Sequence, residues 1–178
     1  MWMNETADIK FNSPTRGKIS FADVIYDLAD FMEGNPKEKY CLIIGTDSKT
    51  NNLEDNQKVC LITAIVIYRQ GRGGRYFWRR ETKNNIHTLR QKIYEETNLS
   101  LAMAQKLLNA FNKYLEAEKW RQAHIRPKYE LEIHVDIGQT GPTRDMIKEI
   151  VGMVNGFGFS ARTKPESYAA SKVADKYT

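Results

Sequence analysis

Residues 40–48 read YCLIIGTDS, and the fold turns on how they are taken. A short apolar run closed by Gly45 and ending at Asp47 is too brief for a helix. It reads as a strand buried on both faces. A polar loop, residues 49–58 (KTNNLEDNQK), separates it from residues 59–69, VCLITAIVIYR, whose β-branched residues again favour a strand. QGRGG at 70–74 is a turn, and RYFWRRE at 75–81 resumes an extended pattern, so these two pieces form a hairpin. Three consecutive antiparallel strands result.

Upstream, FNSPTRGKIS (11–20) reads as an irregular arm, after which Ser20 caps a helix through Phe21, Val24, Ile25, Leu28 and Phe31. Gly34, Asn35 and Pro36 stop it. Downstream, a helical pattern runs from Ile86 to about Trp120 through Leu89, Ile93, Leu107, Phe111 and Leu115, with a break near Asn98 left open. YELEIHVDIG (129–138) is a fourth strand ending at Asp136, Thr140 to Val154 a helix, FGFSART (157–163) a fifth strand, and Pro165 opens a last helix. The expected architecture is a mixed α/β sheet, three antiparallel strands then two parallel ones, with helices on both faces. The core order is βββαβαβα plus an N-terminal helix, with right-handed crossovers.

A chain of 178 residues, 41% hydrophobic and 28% charged, suits one domain over 1–178, with an arm and helix at 1–36 and the core at 37–178. No apolar run reaches the ~20 residues of a bilayer crossing and no signal-peptide pattern opens the chain. Cys41 and Cys60 lack CxxC spacing, which speaks against a disulfide framework or a zinc site. A cytoplasmic protein with no membrane partner is expected.

The carboxyl ends of parallel strands share one edge of such a sheet, and ligands of open α/β sheets bind there. Asp47 and Asp136 both sit at those ends. On the long helix the stripe through Leu89 and Ile93 continues at Glu96, and a carboxylate on a packed face must be paired, protonated or bound to a cation. In the simpler reading Glu96 reaches solvent at the helix edge or pairs with Lys92 or Arg90. Clustered carboxylates without Cys or paired His favour Mg²⁺ or Mn²⁺. The start of the last helix emerges at the same edge, which makes Glu166 a fourth candidate ligand. Asp175, nine residues further on and ~13 Å away along a helix, ranks behind it.

This arrangement, with Asp in IIGTDS, Glu in IYEETN, Asp in HVDIG and an acid near the last helix, resembles the ribonuclease-H-like fold of metal-dependent nucleases and integrases. FNSPTRG, GRGGRYFW, LRQKIYEET, HVDIGQTGPTR, KEIVGMV and TKPESYAASKVADKYT look like the YkuK-type bacterial family of that superfamily, over nearly the whole chain. The resemblance implies a nuclease whose catalytic and metal-binding acids are Asp47, Glu96, Asp136 and Glu166, with Asp175 the alternative ligand. Asp47 would bridge two Mg²⁺ or Mn²⁺ ions that activate a water for phosphodiester hydrolysis. KPESYAAS is also similar to a type 2 ribonuclease H segment, although Pro165 stands where Ala is usual and Glu166 where Asp is.

The net charge of +5 is concentrated at Arg69–Lys83. Arg72, Arg75 and Arg79 would meet a phosphate backbone while Tyr76 and Trp78 stack on bases, and strand alternation turns at least one of Tyr76, Phe77 and Trp78 toward the core. Arginines that protect a solvated edge are the alternative. Arg90, Lys92 and Arg144 are further candidate phosphate contacts, and Lys164 is placed either to hold a phosphate or to neutralise the acids. The expected partner is RNA, DNA or a hybrid. A second reading keeps scaffold and hairpin as a nucleic-acid-binding module without catalysis. A third, actin-like nucleotide binding, lacks a second phosphate-loop Asp-Gly, and no GxxxxGK[ST] P-loop is present.

Overall fold

The computed structural model describes residues 9–50, 58–116, 127–167, 172, 173 and 176. The strands are β1 (Lys10–Ser13), β2 (Gly17–Ser20), β3 (Lys39–Thr50), β4 (Val59–Arg69), β5 (Gly74–Lys83), β6 (Lys128–His134) and β7 (Ser160–Arg162). The helices are α1 (Phe21–Glu33), α2 (Leu89–Leu115) and α3 (Ile147–Gly156), the last preceded by a 3-10 turn at Arg144–Met146. One sheet holds all of these strands in the order β2-β1-β5-β4-β3-β6-β7. β3, β4 and β5 pair antiparallel, whereas β6 runs parallel to β3 and β7 parallel to β6.

Residues 11–20 are not an irregular arm. Phe11, Ser13 and Ile19 are buried from a hairpin whose turn ends at Gly17 with φ +68°, a conformation that a side chain disfavours. The hairpin extends the sheet beyond β5 through Asn12, opposite Trp78. Each strand is only four residues long, too short for alternation to mark it in the sequence. Ser20 then caps α1 reciprocally: its hydroxyl accepts from the Asp23 N–H, and the Asp23 carboxylate accepts from the Ser20 N–H.

α2 starts later than its periodicity suggests, because Thr88 and Gln91 close a capping box there, and it runs through Asn98 without a break. Trp120 falls outside the described residues. Pro165 belongs to a turn rather than to a first helical turn: the N–H groups of Glu166 and Ser167 both donate to the Thr163 carbonyl, and the Lys164–Pro165 peptide is cis.

The pairing of β3 with β4 is continuous from Tyr40↔Arg69 to Thr50↔Val59, so side chains alternate strictly between two faces. Leu42, Ile44, Thr46 and Ser48 share one face with Ile67, Ile65, Thr63 and Leu61, and β5 adds Phe77 to it. α1 and α2 cover this face, joining Phe21, Leu28, Leu107 and Phe111 to its apolar residues in one core, with Ile150 and Val154 of α3 beside them. Ile43, Asp47, Ile62, Ala64, Val66 and Tyr68 lie on the opposite face, with Tyr76, Trp78 and Arg80 of β5. Helical residues occur at 172, 173 and 176, and Lys176 Nζ donates to Tyr76 Oη on that second face at 3.4 Å.

Candidate functional site: a split carboxylate set and a cationic, aromatic strand

Alternation along β3 decides what becomes of the proposed acid cluster. Ser48 points to α2, where its hydroxyl donates to Glu96 Oε1 at 2.6 Å, and Lys92 Nζ stands 3.9 Å from the same oxygen. Asp47, one residue earlier, projects from the other face, and its Oδ1 accepts the Ser48 N–H at 2.8 Å. Asp136 forms an ion pair with Lys164 at 3.0 Å. Glu166 is exposed and 3.5 Å from Arg162. Asp175 lies outside the described residues.

Glu96 is the chemically unusual member. It is 4% exposed, and burial pushes its carboxyl up to about 7; the Ser48 hydrogen bond and Lys92 oppose that rise, while the charges of Asp47 and Asp136 add a smaller push. Beside it Ser100 Oγ donates to Thr46 Oγ1 at 3.0 Å, and Thr46 meets Thr63 at 3.0 Å, so hydroxyls line the α2–β3 contact. These satisfied polar groups place Glu96 in the packing of helix on sheet.

Among the described residues, no three His, Cys, Asp or Glu side chains come together to hold a metal ion. The expected metal-dependent nuclease, its phosphodiester hydrolysis and its Mg²⁺ or Mn²⁺ are therefore corrected. A strand's period of two sends Asp47 and Ser48 to opposite sides, and Glu96 finds the serine rather than the aspartate. Closeness in topology did not become a common coordination shell.

Another charged set was missed. YELEIHV puts Glu130, Glu132 and His134 on one face of β6, a row of acids that calls for partners. Arg162 supplies them, its Nε and Nη2 donating to Glu132 Oε1 at 2.9 and 2.8 Å, while His134 Nε2 lies 3.3 Å from Oε2. Burial raises the Glu132 carboxyl, but Arg162 and His134 more than reverse this and hold it below its usual range. Burial likewise lowers the His134 imidazole, with Glu132 pulling the other way. His134 is thus a buried partner of Glu132.

The candidate phosphate contacts divide by face. On the helix-bearing face, Arg75 pairs with Asp30 at 3.1 Å and lies over the Phe31 ring, and Arg79 pairs with Glu81 at 3.0 Å. Arg90 is held by Glu149, which also accepts from Tyr94 Oη, and Arg144 is exposed in the 3-10 turn. Phe77 takes the core side of β5 at 1% exposure. Arg72 stands exposed in the β4–β5 turn, and Tyr76, Trp78 and Arg80 follow on the second face. Gly74 closes that turn where a Cβ would sit 2.3 Å from the Ile67 carbonyl oxygen, so only glycine fits.

A family model described as ribonuclease H-like matches residues 23–178, which include β3 to β7, α2 and all but the first two residues of α1. The chain belongs to the ribonuclease H-like family. This ribonuclease H-like chain is also 32% identical over 169 residues to the YkuK protein of Bacillus subtilis (strain 168), covering 94% of this chain and 96% of that protein. No solved structure matches it significantly. Among the described residues, no helix is long and apolar enough to cross a membrane.

Proposed function

We propose that this ribonuclease H-like chain is a nucleic-acid-binding module that uses the scaffold without catalysing hydrolysis. The observation carrying this reading is the face of β5 that bears Tyr76, Trp78 and Arg80 in alternate positions, ~7 Å apart, directly after a turn that presents Arg72. Base faces stack on such aromatics and phosphates meet the cations, with little sequence preference. The net charge of +5 supports association with a polyanion, and the divided carboxylates support binding without cleavage. Two cysteines, neither in a disulfide, accord with a cytoplasmic ligand.

Fluorescence anisotropy with labelled single-stranded and duplex RNA and DNA tests the reading. The expected result is binding whose log affinity falls linearly with log salt, and a shallower slope, by about 1 for each lost contact, in Arg72→Gln and Arg80→Gln. Absence of binding at low salt, or variants with unchanged affinity and slope, overturns it.

A further inference from the structure

A cavity of about 550 Å³ opens on the second face, at the amino ends of β3 and β6 and therefore at the other end of these strands from Asp47 and Asp136. Its volume falls within the range of small-ligand sites. Lys39 and Lys128 face each other in the parallel register, on strands ~4.8 Å apart, and both line it. Among the described residues neither lysine forms an ion pair, in contrast to Arg75, Arg79, Arg90 and Lys164. Two exposed ammonium groups on neighbouring strands offer one anion a cation on either side.

The rest of the lining is suited to a different kind of group. Tyr68 on β4 stands half-buried beside Cys41, and Gln70 and Glu130 supply exposed polar atoms. The far wall is the Arg162–Glu132 pair, four residues along β6 from Lys128, which sets a length of about 13 Å at ~3.3 Å per residue. The cavity thus offers a dianion site at one end, an aromatic face beside it and acceptors for an amino group. Burial pushes the Cys41 thiol up to about 11, so it lines the cavity as a neutral thiol.

We propose that this cavity binds a nucleoside 5′-phosphate, with the phosphate between Lys39 and Lys128, the base against Tyr68, and an exocyclic amine donating to Glu130. The phosphate is that of a free nucleotide or of a strand terminus. None of Arg72, Tyr76, Trp78 and Arg80 lines the cavity, so the inference stands apart from the hairpin reading.

Calorimetric titration of the full chain with AMP, adenosine, inorganic phosphate and a 5′-phosphorylated diadenylate tests it. AMP is expected to bind at least tenfold tighter than adenosine or phosphate. Lys39→Gln with Lys128→Gln should weaken AMP at least tenfold, and Tyr68→Leu should weaken AMP and adenosine while leaving phosphate unchanged. Both lysines are exposed, so the double variant keeps its fold, which an unchanged thermal midpoint verifies. Tighter binding of the diadenylate assigns the strand terminus, and tighter binding of AMP the free nucleotide. AMP binding no tighter than phosphate, or unaffected by the double substitution, overturns the proposal.

Discussion

Replacing Glu96 by Gln removes a charge that burial disfavours yet keeps an acceptor for the Ser48 hydroxyl, now 2.6 Å from Glu96 Oε1. Below pH 4.5 the carboxyl is protonated in folded and unfolded chains alike. Between pH 4.5 and about 7 the unfolded chain ionises first, so it binds fewer protons than the folded chain and stability falls as pH rises. At ~1.4 kcal/mol per pH unit across that window the wild-type protein loses about 3 kcal/mol, and above it the loss is constant. His134 acts in the opposite sense, because its buried imidazole loses stability as pH falls below its ordinary range. The difference between wild type and Glu96→Gln cancels that contribution. Urea unfolding of both proteins at intervals from pH 4.5 to 8.5 should show the variant gaining on wild type by about 3 kcal/mol, chiefly between pH 5 and 7.5. Identical pH profiles, or a variant less stable at pH 8, would refute the assignment of Glu96 as a buried, protonatable partner of Ser48.

Loss of the reciprocal cap in Ser20→Ala should destabilise the protein by about 1 kcal/mol in urea, with the m-value unchanged. Phe11, fully buried and stacked on Phe21 with centroids 6.0 Å apart, should cost about 3–5 kcal/mol when cut to Ala, a value near zero meaning that the first hairpin does not belong to the core. Arg162→Ala removes both donors from Glu132 Oε1 and should cost about 1.5–3 kcal/mol by thermal or urea unfolding at pH 7, with part of the loss recovered in Arg162→Ala/Glu132→Gln.

The strands of the core were legible because apolar runs such as YCLIIGTDS and VCLITAIVIYR carry their own signal, and a Gly-rich turn states where the chain reverses. α1 was legible from Ser20 and the spacing of Phe21, Val24, Ile25 and Leu28. The first hairpin was not, because four-residue strands give alternation too few positions, and Phe11 reveals its role only when Phe21 packs on it. For the candidate site, residue types and their approximate end of the sheet were readable, but their mutual orientation was not. The cavity beside Lys39 and Lys128 depends on residues 89 positions apart, and nothing local joins them.

By itself the chain of residues determined the ribonuclease H-like order of strands and helices, the place of Glu96 on the apolar stripe of its helix and the cationic, aromatic character of β5, all properties of local period and composition. Only the tertiary structure decided which side each carboxylate faces and what it touches. Asp47 and Ser48 are neighbours in the chain but lie on opposite faces of β3, and α2 brings Glu96 to the serine's face. Coordination requires atoms within a few ångströms in a shared direction, and that direction is set by the register of β3 in the sheet and by the seat of α2 upon it.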